Sequence, residues 1–144
     1  MFKLRNFCFT AVFVLFSVLA FSIASAQEVT LQKSDESKLD PFEQQNLARA
    51  DKLFADKQYR AAMADYDLFL LEFPKSAALP YALLRKSRSI ELDNKRYQAI
   101  KSYQEVLDYF PNHVAYAAPA LFYIGDCHWS NGNTKNALIA WSKM

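Results

Sequence analysis

Small and aromatic residues recur at a fixed interval along this chain. Ala62, Tyr66 and Pro74 are followed by Ala99, Tyr103 and Pro111, and then by Ala137 and Trp141. The intervals are 37 and then 38 residues. Four residues make about one helical turn, so the small residue and the aromatic share a face, and the proline marks where the helix stops. Periods in this range mean stacked helical hairpins.

Between these marks the apolar positions keep helical spacing. Asp40-Pro41-Phe42-Glu43 predicts a helix start, because Asp40 can cap, Pro41 suits the first helical position and Glu43 completes a capping-box spacing. Leu47, Ala50, Leu53 and Phe54 form one face of that helix, which is expected to end near Asp56-Lys57-Gln58. A second helix carries Ala62, Tyr66, Phe69 and Leu70 and stops at Phe73-Pro74. Pro80 opens the next pair, with Leu83, Leu84, Ser87 and Ile90 before a break near Asp93-Asn94-Lys95. Its second helix carries Ala99, Tyr103, Val106 and Leu107 and stops at Phe110-Pro111. Pro119 is read as the start of a third pair, followed by Leu121, Phe122, Ile124, Gly125 and His128, with the turn at Asn131-Gly132-Asn133. No alternating run suggests a strand, so the domain is expected to be all-α.

The small residues have a physical task. Two helices approach closely only where one presents a side chain no larger than Ala, Gly or Ser. Ala62, Ala99 and Ala137 supply this in the second helices, and Ala50, Ser87 and Gly125 in the first. Tyr66, Tyr103 and Trp141 are then placed to fill the space between successive pairs, each contributing about 2–3 kcal/mol by apolar burial.

The N-terminus has a different pattern. Lys3 and Arg5 precede an apolar stretch from Phe7 to Ile23, and Ala24-Ser25-Ala26 follows. A charged start, an apolar run and an A-x-A site predict a signal peptide over residues 1–26, cleaved before Gln27. The alternative is an uncleaved segment anchoring the protein in the inner membrane. No cysteine follows the apolar run, so no lipid anchor is expected there; Cys8 lies inside the segment that would be removed. Residues 27–40 are polar and read as a flexible linker, which leaves residues 41–144 as the helical repeat domain.

Composition changes the picture in two places. The formal charge of +2 resides in the signal, since Lys3 and Arg5 are its charged residues, and the remaining chain is balanced. Nothing in that balance points to nucleic acid. Cys127 is the one cysteine beyond the leader, so no internal disulfide can form, and a buried, inert thiol is expected.

The repeats resemble the tetratricopeptide repeat family. The resemblance is carried by Leu121-x-x-Ile124-Gly125-x-x-His128 with Gly132, Ala137 and Trp141, and covers roughly residues 42–144. His128 stands where the family has an aromatic, Ser87 and Ala50 replace its glycine, and the period exceeds the usual spacing. Phe73-Pro74, Phe110-Pro111 and the run Ala120 to Asp126 are similar to exported bacterial members, among them the Tol–Pal-associated periplasmic coordinator of cell division and the outer-membrane assembly lipoproteins. The resemblance implies an α-solenoid of about two and a half to three stacked hairpins. It also implies that the first helix of each pair lines a concave groove. Carried over residue by residue, that groove comprises Gln44, Leu47, Asp51 and Phe54, then Tyr81, Leu84, Arg88 and Glu91, then Phe122, Asp126 and Trp129. Apolar anchors beside charges suit an extended or helical peptide.

Catalysis is not expected. His113 and His128 are unrelated in position, and adjacent Cys127 and His128 would point about 100° apart on a helix. With two glycines in the whole chain, no phosphate-cradling loop is available, and no cofactor or metal is predicted. The basic run Arg85-Lys86-x-Arg88 with Lys95-Arg96 reads as a solvated face balanced by Glu91 and Asp93.

The expected role is that of an exported scaffold in the cell envelope, binding a protein or peptide segment and no small-molecule substrate. The alternative is a repeat module at the front of a longer protein, with an enzymatic or peptidoglycan-binding domain beyond residue 144. If the third unit kept the period, its second helix would run on to a proline near position 149. Two readings follow: a fragment, or a last face covered by another chain, with self-association through that uncapped face among the options.

Overall fold

The computed structural model describes residues 29–144, and the expected signal peptide and its cleavage site lie outside them. Seven helices and no strands are found among the described residues: α1 Lys33–Glu36, α2 Pro41–Ala55, α3 Tyr59–Glu72, α4 Leu79–Leu92, α5 Arg96–Tyr109, α6 Val114–Ser130 and α7 Thr134–Trp141. The pairs α2/α3, α4/α5 and α6/α7 are hairpins, and the second helix of each of the first two packs on the first helix of the next. This is the all-α stack of helical hairpins that the period implied. None of the described helices is long and apolar enough to cross a membrane.

Local chemistry sets the helix ends. The Asp40 carboxylate accepts from the N–H of Phe42 at 2.8 Å and of Glu43 at 2.9 Å, and the Glu43 carboxylate accepts from Asp40 N–H at 2.8 Å. That reciprocal cap satisfies donors that the first turn of α2 leaves without helical partners. Each hairpin then turns in the same way. Lys57, Asn94 and Gly132 stand at equivalent positions of the repeat, with φ of 60°, 62° and 76°. The next N–H in each case closes back on a carbonyl in the last turn: Gln58 to Leu53 at 2.9 Å, Lys95 to Ile90 at 3.1 Å, Asn133 to His128 at 2.8 Å. A left-handed residue closing a helix end this way is most easily supplied by glycine, and only the third turn has it.

The small positions work as predicted. Ala50, Ala62, Ala99 and Ala137 are fully buried, as are Tyr66 and Tyr103. A methyl added at Gly125 would sit 2.1 Å from Trp141 Nε1, so the indole occupies the volume that the missing side chain leaves. At the equivalent point of the second hairpin, the Ser87 hydroxyl lies 2.8 Å from that of Ser102 and donates to the Leu83 carbonyl at 2.8 Å.

Two expectations are corrected here. Pro119 does not open the third pair, because α6 begins five residues earlier at Val114 and carries Pro119 inside it. The added turn is held by packing: Tyr116 is buried, with its ring 6.2 Å from that of Tyr81. Residues 29–39 are not a loose linker as far as they are described. They form α1, bury Asp35 and Leu39, and lie against the hairpins, with Val29 and Leu31 packed on the core.

Candidate functional site

The first helices α2, α4 and α6 carry every residue assigned to the groove, and at each junction between hairpins they hold a compact polar cluster. At the first junction, Asp51 of α2 accepts from the Tyr66 hydroxyl and, at 2.9 Å, from the Tyr81 hydroxyl. Arg85 of α4 reaches in from the next hairpin: its Nε lies 3.7 Å from the Asp51 carboxylate and its guanidinium carbon 3.6 Å from the Phe54 ring centroid. At the second junction, Glu91 of α4 accepts from the Tyr103 hydroxyl at 2.6 Å and pairs with Arg88 at 2.8 Å. The Arg88 guanidinium sits 4.5 Å from the ring centroid of Tyr123, which α6 supplies. Tyr66, Tyr81 and Tyr103 are thus each satisfied by a carboxylate, and both carboxylates are balanced by a guanidinium lying on an aromatic ring.

Burial and charge shift these groups together. Burial first, then the neighbouring carboxylate of Asp51 or Glu91, holds Tyr66, Tyr81 and Tyr103 in the neutral form far above the usual phenol range. Arg88 is held more firmly charged than usual; burial is the largest single influence and opposes this, and the hydrogen bond to Glu91, the Glu91 charge and the neighbouring Tyr103 and Tyr123 together outweigh it. Burial pushes the Cys127 thiol up to about 12, which leaves a protonated, unreactive sulfur beside the second cluster.

The predicted groove residues therefore fall into two groups. Leu47, Phe54, Tyr81, Leu84 and Glu91 are buried, Leu84 to 1% exposure, and present almost no surface. Asp51 and Arg88 are half-buried within the clusters. On α6 the side chains open out: Phe122 is 37% exposed and Trp129 55%, with half-buried Asp126 between them in sequence. Trp129 and Trp141 approach with ring centroids 6.0 Å apart, and Trp141 Nε1 donates to the Phe122 carbonyl at 3.2 Å.

The basic run is also distributed differently from the expected solvated face. Arg85 is buried in the first cluster, Lys86 pairs with Asp67 of α3 at 2.6 Å, and Lys95 pairs with Asp93 at 2.8 Å. Arg60 of α3 reaches the same Asp93 at 3.0 Å, tying the first hairpin to the turn of the second. The cations of this run are mostly stitching between helices.

One occupant of the first-helix wall was missed. The Tyr116 hydroxyl donates to the Asp35 carboxylate at 3.0 Å and accepts from Gln32 N–H at 3.1 Å, which pins the segment before α2 onto α6. A cleft of ≈ 480 Å³ remains between that segment and the wall, lined by Leu31, Leu39, Gln44, Leu47, Asp51 and Tyr81. The brief alternation Val29-Thr30-Leu31-Gln32 is the sole trace of this in the sequence, and it is too short to distinguish from chance.

No group of three or more His, Cys, Asp or Glu arranged to hold a metal occurs among the described residues. His113 stands at the N-cap position of α6 without a side-chain capping bond and lies against Phe110 and Tyr116, and His128 is half-buried on α6.

Residues 81–113, from the first turn of α4 to the residue before α6, match the family described as tetratricopeptide repeat. No curated protein matches the chain. Repeats of that family are generally non-catalytic modules of protein–protein contact, and the stacked hairpins support a protein partner for this chain.

Proposed function

We propose that this protein is an exported scaffold of the bacterial cell envelope that holds a protein or peptide segment against the wall formed by its first helices. The observation that carries this reading is the exposure of two large aromatic side chains, Phe122 and Trp129, on the helix that also bears Asp126. Aromatic anchors beside a charge are the usual source of affinity and register in peptide recognition. Asp51, Phe54, Tyr81, Leu84, Arg88 and Glu91 then build the wall and set its rigidity, while Phe122, Asp126 and Trp129 make the contact. The leader over residues 1–26, with its A-x-A site, is what supports export.

A photo-crosslinking amino acid placed at Phe122 or Trp129 in growing cells tests this. The expected product is one envelope protein captured from both positions, identified by mass spectrometry, and absent when the crosslinker replaces Leu71. Leu71 is equally apolar and 78% exposed, but it lies on α3. Equal capture from Leu71, or none from α6, overturns the reading. Fractionation of the same cells checks export: a periplasmic chain beginning at Gln27 is expected, and a membrane-bound chain retaining its leader would indicate the anchored alternative.

A further inference from the structure

The segment before α2 lies on the first-helix wall as a bound peptide would. Val29 and Leu31 pack on the core, while Thr30 and Gln32 are exposed, which is the alternation of an extended chain laid on a surface. Gln32 keeps extended backbone, with φ −69° and ψ 136°, and its N–H donates to the Tyr116 hydroxyl at 3.1 Å. One turn later the buried Asp35 carboxylate accepts from that same hydroxyl at 3.0 Å. At the far end the Leu39 carbonyl accepts from Gln44 Nε2 of α2 at 3.1 Å. Leu31 and Leu39 also share a cleft with Tyr81 of α4, so all three first helices meet this segment. The fit is loose. The cleft keeps ≈ 480 Å³ open beside Leu31, and both Val29 and Leu31 are only half-covered.

Resting on the scaffold reading above, we propose that residues 29–38 are a self-ligand of this wall: a strap that closes the site in the resting protein and is displaced by a partner segment of the same pattern. That pattern is apolar-x-apolar-x-x-x-acid, Val29-x-Leu31-x-x-x-Asp35, with the acid seated on the Tyr116 hydroxyl. The hydroxyl selects the segment, because its bond to a carboxylate is charge-assisted and is lost to a neutral side chain. The tether is short, since Leu39 adjoins the Asp40 cap of α2. A segment held so close competes at an effective concentration on the order of millimolar. A free segment making only the same contacts therefore enters where it is abundant, and a scarcer one must add contacts of its own. Few fully buried anchors and an open cleft place the strap at the low-stability end of the fold, so it opens while the hairpins stay closed.

The probe is a fluorescein-labelled synthetic peptide with the sequence of residues 29–38, followed by fluorescence polarisation. It is titrated against the purified protein and against a shortened form that starts at Ser37 and so keeps Leu39 and the cap of α2. Saturable binding to the shortened form is expected, at least tenfold tighter than to the intact protein. Asp35→Asn in the peptide is expected to weaken that binding at least fivefold. Tyr116→Phe in the shortened protein is expected to weaken the unaltered peptide and to abolish the preference between the two peptides, a coupling that a merely structural tyrosine would not produce. If the shortened form fails to fold, Leu31→Asp in the intact chain loosens the strap in place, and at least tenfold tighter peptide binding than to the unaltered protein is expected. Equal binding to the unaltered and the strap-altered proteins, or binding to neither, overturns the proposal. If that happens while crosslinking from Phe122 still captures a partner, residues 29–38 are a fixed part of the fold and the scaffold reading stands; if capture fails as well, both fall.

Discussion

The two junctions between hairpins hold the same parts in exchanged places. At the first, α2 gives the acid and the ring, Asp51 and Phe54, and α4 gives the cation, Arg85. At the second, α4 gives both charges, Arg88 and Glu91, and α6 gives the ring, Tyr123. The equivalent positions therefore read Asp51 and Arg88, opposite in charge, and Phe54 and Glu91, apolar against acidic. What stays fixed is a requirement on the sum. A buried phenol on the second helix, Tyr66 or Tyr103, needs an acceptor, the acceptor needs a cation, and the desolvated cation lies on a ring. A repeat can thus keep its energetics while losing its residue-by-residue likeness.

The junctions also differ in burial, and that difference gives the largest expected effect. Glu91 is 8% exposed, whereas the Asp51 side chain is 34% exposed. Glu91→Ala leaves Arg88 and the Tyr103 hydroxyl without their shared partner in a dry site, and is expected to cost about 3–5 kcal/mol. Asp51→Ala removes the same kind of acceptor where water can replace it, and about 1–3 kcal/mol is expected. Urea denaturation of the two variants decides the order; equal losses would mean that burial does not separate the junctions.

Raising the pH strains both clusters together. Burial pushes Tyr116 from 10.0 up to about 12 and Cys127 from 9.0 up to about 12, and Tyr66, Tyr81 and Tyr103 move in the same direction. The fold favours the neutral forms, so their contribution is complete below the unfolded-state values and is lost as pH rises through the folded ones. Stability is expected to stay level up to about pH 9 and to fall through pH 12, with Tyr116 alone accounting for about 3 kcal/mol at about 1.4 kcal/mol per unit. Chemical denaturation at stepped pH would show it, and a level profile across that range would refute the assignment.

The third hairpin supplies the smallest and most local test. Ala50 and Ser87 tolerate a side chain where Gly125 has none, because only at Gly125 does an indole fill the space. Gly125→Ala is expected to cost about 1–3 kcal/mol by overpacking and to shift the emission of Trp141. Ser87→Ala, which removes one hydroxyl and adds no volume, is expected to cost less in the same melting experiment.

Much of this architecture was legible in order along the chain. Asp40 and Glu43 announced a cap because both partners lie within one turn of each other. The alanines and tyrosines announced the hairpins because their spacing repeats, and buried positions follow that spacing. The breaks at Lys57 and Asn94 were placed, but their left-handed backbone was not read because neither is a glycine, yet the closing hydrogen bonds impose a positive φ at all three turns. Arg85 and Arg88 read as surface charge because a sequence does not show which carboxylate a long side chain will meet. The groove assignment did not separate Leu84 from Trp129 for a related reason: both occupy the inward register of a first helix, and among the described residues a following hairpin covers the one and not the other.

The sequence alone determined the helical class, the number of hairpins and the residues at their contacts, since each depends on interactions within one turn or on a period that the chain itself repeats. The pairing of Asp51 with Arg85, the seating of residues 29–39 on Tyr116 and the exposure of the α6 aromatics were decided by tertiary structure. Those depend on groups brought together from distant parts of the chain. Charge compensation in a buried site constrains the assembled cluster and leaves each residue within it free to change.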